Sequence, residues 1–209
     1  MSRPRLEDAQ ARLLVAGLGL FARHGCERVN SNAIARAAGL GVGTFYFYYA
    51  NKYALLRELQ LRTLAGLRTA RQVAIAGAGR ILVDQVRASV AAAVEFARDH
   101  PEAYRVCLGR ERTAPAHQGP VVSESTRPIA EGLRALQRAG RIDDGLDAEL
   151  AARAYLSMEA GMLLWWLEDP KRVGESVLVE TLVRLHPASA GPPAKTAAVA
   201  PGRTASASA

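Results

Sequence analysis

The chain has few cysteines, few aromatics outside one segment, almost no alternating apolar and polar runs, and no long unbroken hydrophobic stretch. Its 209 residues include two cysteines, Cys26 and Cys107, without the spacing of a metal-ligand set and too few for a disulfide framework. The four histidines, at 24, 100, 117 and 186, are scattered, so no metal site is expected. The longest apolar-rich stretch, Ala154 to Leu167, is interrupted by Ser157 and Glu159, and no run reaches the ~18 residues of a membrane span. The N-terminus lacks the apolar core of a signal peptide. These absences predict a cytoplasmic protein with no membrane contact. No phosphate-binding glycine loop or nucleophile elbow occurs, and Asp143-Asp144 reads as a solvated turn. Neither an enzyme nor a cofactor is expected.

What is present is helix-forming. Ala, Leu and Arg are abundant, and no strand pair or internal repeat is apparent, which predicts an all-α protein of about nine helices. Leu13, Leu14, Gly17, Leu18 and Phe21 recur at helical spacing, so residues 6–24 read as an amphipathic helix closed by Gly25. Asn30 or Ser31 can cap a short helix that Gly39 stops, and a second short helix runs from about Val42 to Tyr49. Asn51 caps a longer helix that ends at the glycines of 77–79. Further helices are expected over 80–99, 101–112, 126–140, 148–168 (capped by Asp147) and from Pro170 to about His186, with a loop over 113–120. From Pro187 the Ala/Pro/Ser/Gly-rich composition reads as a disordered tail.

Charge and aromatics are both unevenly placed. Residues 1–52 carry seven Lys/Arg against three Asp/Glu, whereas residues 53–186 carry 18 against 17. Of 12 aromatics, six fall between Phe45 and Tyr53, five of them consecutive: Phe45, Tyr46, Phe47, Tyr48 and Tyr49. A basic excess beside an aromatic cluster suits a polyanionic partner.

Within this segment, two short helices joined at Gly39 make a helix-turn-helix. Ala35 is small where the helices cross, Gly39 supplies the positive φ of the turn, and Phe45 plugs the corner with Ile34, Ala38 and Leu40. Phe45 and Tyr49, four residues apart, face inward, leaving Tyr46, Phe47 and Tyr48 toward the other side. From Leu13 to Leu56 the chain resembles the N-terminal DNA-binding domain of TetR-type transcriptional regulators. The resemblance rests on Phe21-x3-Gly25, Ile34-Ala35, Gly39, Gly43-Thr44-Phe45-Tyr46 and Asn51-Lys52-x2-Leu55-Leu56.

The resemblance implies a helix-turn-helix DNA-binding domain over residues 1–52, a helical ligand-binding and dimerisation domain over 53–186, and a tail over 187–209. It implies a homodimer that sets two recognition helices in successive major grooves of a double-stranded operator. A small-molecule effector in the second domain would weaken operator binding, which is the behaviour of a ligand-responsive repressor. Tyr46 and Lys52 match phosphate-contacting positions. Val42, Gly43 and Thr44 lie where base edges are read, and Ser31 and Asn32 match positions touching phosphate and base. Phe47 and Tyr48 complete the DNA-facing set. The chain departs from the common pattern at Val42, which offers only apolar contact, and at Gly41 and Ser31. No Arg or Lys lies within the recognition helix, so Arg28, Arg36, Arg3 or Arg5 would have to supply any guanine contact. The alternative is a helical module acting through protein contacts without sequence-specific DNA binding. Thr44, Tyr46 and Lys52 argue against it.

In the second domain, Glu159 sits inside an apolar stretch, where an unpaired carboxylate is costly. A salt bridge to Arg134 or Arg153 is the leading expectation, and a polar group in a ligand pocket is the other. Phe96, Tyr104, Cys107, Tyr155, Met158, Met162 and Trp166 would supply the walls of such a pocket, and few buried polar groups are on offer, so the effector is expected to be largely apolar. For the dimer, small residues Ala151, Ala154, Ser157 and Gly161 share one helix face, and Val177, Leu178, Leu182 and Leu185 form an apolar stripe on the last helix.

Overall fold

In a computed structural model, which describes residues 6–109 and 119–189, the chain folds into nine α-helices among the described residues, and no strand occurs there. They are α1 (Leu6–His24), α2 (Ser31–Ala37), α3 (Val42–Tyr48), α4 (Lys52–Gly77), α5 (Leu82–Asp99), α6 (Pro101–Leu108), α7 (Gly119–Arg138), α8 (Ala148–Glu168) and α9 (Glu175–Arg184). No helix among them is long and apolar enough to cross a membrane.

The local signals explain most boundaries. The Asn30 side chain accepts a hydrogen bond from the Ala33 amide at 2.9 Å, and Asn51 accepts from the Tyr53 and Ala54 amides, each satisfying donors at a helix start. Asp147 caps α8 through the Leu150 amide at 2.8 Å. Gly39 takes φ +64 between α2 and α3, a conformation costly for a residue with a Cβ.

Three expectations change. The helix expected from Val42 and the long α4 start as read, but α7 begins at Gly119, inside the stretch read as a loop. The remainder of that loop, 113–118, lies outside the described residues. The last helix begins at Glu175 rather than after Pro170. Residues 169–174 instead form a turn, in which the Asp169 carboxylate accepts from the Lys171 amide and the Trp166 indole donates to the Val173 carbonyl. Pro187–Ser189, placed in the tail by composition, form a 3-10 turn with Ala188 buried. The tail from 190 onward lies outside the described residues.

Two apolar cores result. The first joins α1, α2 and α3 to the start of α4 through Leu13, Phe21, Ile34, Ala35, Phe45 and Leu55, all at most 1% exposed. The second packs α5, α7, α8 and α9 with Leu67 of α4, around Val90, Ala93, Leu163 and Leu178. Helix α4 therefore lies in both, through Leu55, Leu56 and Leu59 at one end and Leu67 further on. Helix α6 does the same: Tyr104 faces the second core, whereas Val106 and Cys107 close the first.

Candidate functional site

The helix-turn-helix is held from behind by polar contacts that leave its front open. Phe45 is completely buried and packs edge-on to Tyr46 and tilted to Tyr49. The Tyr49 hydroxyl donates to the Glu58 carboxylate at 2.8 Å, and the Gln10 amide donates to both Tyr49 and Glu58. Burial pushes the Tyr49 hydroxyl up to about 12, so it remains a donor at any physiological pH. These bonds tie the end of α3 to α1 and α4. At the turn, Arg12 of α1 donates to the carbonyls of Ala38 at 2.5 Å and Gly39 at 3.3 Å, satisfying acceptors that α2 leaves unpaired at its end. A Cβ at Gly39 would approach the Arg12 guanidinium to 2.7 Å and displace it from this contact, while the φ of +64 itself favours glycine.

The front carries the residues expected to meet DNA. Tyr46 is 54% and Phe47 72% exposed, Val42, Gly43 and Asn32 are exposed, and Ser31, Thr44 and Tyr48 are half-buried. An open cleft lies below them, lined by Glu27, Arg28, Asn30, Ser31, Asn32, Tyr46, Asn51, Lys52 and Tyr53. Eight of the nine DNA-facing candidates are thus placed as open or half-open surface of α2 and α3. Tyr48 is turned partly inward, with Phe47 edge-on to it at 5.0 Å.

Lys52 is the departure. A phosphate contact calls for an open ammonium, yet its side chain is only 15% exposed. Its Nζ donates to the carbonyls of Cys26 at 2.8 Å and Glu27 at 2.9 Å, the segment that follows α1. Lys52 therefore has a structural duty that its position in the motif does not reveal. Cys26, just beneath, is buried, and burial raises its thiol pKa.

The second group of candidates converges only in part. Glu159 is buried, but its partner is neither Arg134 nor Arg153. Arg134 pairs with Glu149 at 3.2 Å and Arg153 is exposed, while Glu159 pairs with Arg71 of α4 and accepts from the Tyr155 hydroxyl at 3.0 Å. Arg71 also donates to the Ser89 hydroxyl at 3.2 Å, so the charged pair joins α4, α5 and α8. Buried Tyr104 lies within electrostatic reach of the pair, and burial raises the pKa of Tyr104 and Tyr155 strongly. Met158 and Met162 are half-buried against the same core, Trp166 is buried, and Phe96 is half-buried beside Gly66. Cys107 does not join them. It lies in the core under the helix-turn-helix, where it accepts from the Thr63 hydroxyl at 3.4 Å and burial pushes its thiol up to about 11, leaving it unreactive.

Arg71 was the residue that sequence reasoning missed. Its signal was a charge one turn beyond Leu67, on the buried stripe of α4, but nothing in that stripe names a partner 88 residues away.

His186 closes this cluster, its ring 4.5 Å from Tyr155 and its Nδ1 accepting from the Ala188 amide. Burial first, and the charge of Arg71 second, lower its pKa to about 4. Between its ordinary value near 6.5 and about 4, the unfolded chain takes up a proton that the fold refuses. The stabilising preference for neutral imidazole is therefore full above pH 6.5 and is lost as pH falls through that window. Stability is expected to fall as pH drops through that window, and His186→Gln to flatten the slope. An unchanged slope in that variant would assign the acid sensitivity to other groups.

The dimer candidates also divide. Ala154, Gly161, Val177 (59%) and Leu185 (54%) are exposed, and Ala151 and Ser157 are half-buried. Leu178 and Leu182 are not available for a partner: at 1% and 0% exposure they fill the second core of their own subunit. The apolar stripe read on α9 is two faces, one turned inward and one outward. On α8, Leu150 (66%) and Trp165 (39%) are exposed as well.

Comparison with known proteins agrees with this geometry. The model of the bacterial regulatory proteins of the tetR family matches residues 13–59. No curated protein matches the chain significantly. Among solved structures, a tetR family transcription regulator from Shewanella sp. PV-4 superposes with a TM-score of 0.74 at 19% identity, over 88% of this chain and 98% of that one. FadR of Bacillus subtilis, solved in complex with stearoyl-CoA, gives 0.71 at 15% identity, over 86% and 98%. NalD of Pseudomonas aeruginosa, the secondary repressor of the MexAB-OprM multidrug efflux pump, gives 0.67 at 18% identity, over 85% and 93%. At these identities the structural likeness is one of fold, while the matched helix-turn-helix carries the kinship. Residues 13–59 thus match the tetR-family DNA-binding model, and the chain as a whole shares the all-helical fold of solved regulators of that family.

Proposed function

We propose that the protein is a homodimeric repressor that binds an operator through α2 and α3 and leaves it when a small, largely apolar molecule binds the second core. In this reading residues 1–52 are the DNA-binding unit and 53–186 the ligand-binding and dimerisation unit. The observation that carries the reading is the recognition helix itself. Phe45 and Tyr49 lock α3 from behind, while Tyr46 and Phe47 stand out at 54% and 72% exposure. A phenol offers a phosphate a donor on a rigid arm, and a ring face can pack on a sugar or a thymine methyl.

The effector reading rests on chemistry around Glu159. The region offers apolar side chains and one buried charged pair, so affinity would come from apolar burial, with Tyr104, Tyr155 and Glu159 orienting a hydroxyl or cationic group. Binding could reach the head because α4 takes part in both cores. A ligand acts on such a link only by its differential affinity for two states. FadR of Bacillus subtilis solved with stearoyl-CoA, whose acyl chain is apolar, and SmeT solved with triclosan support this reading.

The test is binding to the DNA upstream of the protein's own gene, followed by fluorescence anisotropy across a salt series. Tyr46→Phe is expected to weaken binding without changing the melting temperature, because its hydroxyl stands in the open cleft. Lys52→Ala is expected to weaken binding and to reduce the log–log salt slope by about 0.9 for the lost phosphate contact. It should also cost about 1 kcal/mol of stability, since two carbonyls lose their donor. Thr44 substitutions should change which sequences bind. Unaltered operator affinity in both Tyr46→Phe and Lys52→Ala would remove these residues from the interface.

A further inference from the structure

The cleft beneath α3 holds a negative charge where the proposed interface calls for positive ones. Glu27 lies in it with its side chain 59% exposed. Its carboxylate accepts a hydrogen bond from the Tyr53 hydroxyl at 2.9 Å and stands 4.0 Å from Lys52 Nζ. Two donors of that ammonium are already turned to the carbonyls of Cys26 and Glu27. At the start of α4, the Tyr53 hydroxyl is therefore engaged with the Glu27 carboxylate, and two Lys52 donors with main-chain carbonyls beside it, in the free protein. The hydrogen bond to Glu27 also raises the Tyr53 pKa, as expected for a phenol already serving an anion.

Building on the DNA-binding reading, we infer that Glu27 sets the affinity of the head for DNA by occupying, with its carboxylate, the corner that a backbone phosphate takes over. When duplex DNA docks, Tyr53 exchanges one anion for another beside the Lys52 ammonium, and the displaced carboxylate remains close to the phosphate and repels it. The gain from that contact is small, which holds down the sequence-independent part of binding. Occupancy then depends more on what α3 reads from base edges. Specific and non-specific binding differ by such base contacts, while phosphate contacts serve both.

The experiment compares wild type, Glu27→Gln and Glu27→Asp by fluorescence anisotropy on a 30-base-pair duplex of arbitrary sequence and on the DNA upstream of the protein's own gene. Glutamine keeps an acceptor for Tyr53 and removes the charge. Glu27→Gln is expected to bind the arbitrary duplex about fivefold more tightly at low salt, the scale of one close like-charge pair in a water-like dielectric. The gain should shrink as salt shortens the screening length. Glu27→Asp, which keeps the charge, should stay near wild type. Glu131→Gln, at an exposed position on α7, changes net charge equally and should give a much smaller gain. If the Gln variant melts early, Glu27→Ala supplies the same reading from an exposed position. Wild-type binding with no gain in the neutral variants overturns this inference alone. Binding of neither duplex by any of these proteins overturns the DNA-binding reading, and this inference with it.

Discussion

Glu159→Ala is expected to lower the stability of the protein by about 3–5 kcal/mol, read as a lower urea midpoint with an unchanged slope. Glu159 and Arg71 are 3% and 12% exposed at their side chains, and they pair directly. Removing the carboxylate leaves a guanidinium buried without a counter-charge, and Ser89 and solvent at its edge cannot replace it. Tyr155 loses its acceptor at the same time. Two charges taken from water gain little net energy from each other, so the double replacement of Arg71 by Met and Glu159 by Leu should recover most of the loss. A loss under 1 kcal/mol in Glu159→Ala would mean that Arg71 swings out to solvent, and the link between α4 and α8 would then be weak. The double variant has a second use. If the effector is oriented by Glu159, it should fold and hold DNA yet fail to respond to that effector.

Gly161→Glu is expected to give a folded monomer with operator affinity lower by about 10²–10⁴, the range in which a second tethered contact acts. A Cβ at Gly161 meets nothing within 4 Å in the single subunit, so the substitution has room. The same residue shares the exposed face of α8 with Leu150, Ala154 and Trp165, and Val177 on α9 and Leu185 just after it are exposed. Placing a carboxylate there would bury a charge against its symmetry copy, which an interface of small and apolar residues cannot solvate. Leu182→Glu should behave differently. Leu182 is wholly buried in its own subunit, so that variant should unfold rather than dissociate. Sedimentation of both variants separates the cases. A folded Gly161→Glu protein that still sediments as a dimer would place the interface on another face.

Amino-acid sequence alone determined the helices and the turn on which the proposed interface stands, because these depend on neighbours a few residues apart. Asn30, Asn51 and Asp147 cap the helices that follow them, Gly39 makes the turn, and the four-residue spacing of Phe45 and Tyr49 puts both rings in the core. Pairings between distant helices were a different matter. Glu159 announced a buried charge, but the sequence pointed to Arg134 or Arg153, and only the packing of α4 against α5 and α8 chose Arg71. Lys52 carried the mark of a phosphate contact, and the fold bent it back onto the carbonyls after α1. On α9, Val177 and Leu178 are adjacent and equally apolar, yet one is 59% and the other 1% exposed. Hydrophobicity says that a side chain gains from burial, not whether its own subunit or a second one will cover it. That choice belongs to the tertiary arrangement, since it depends on which helix face the remaining helices reach first.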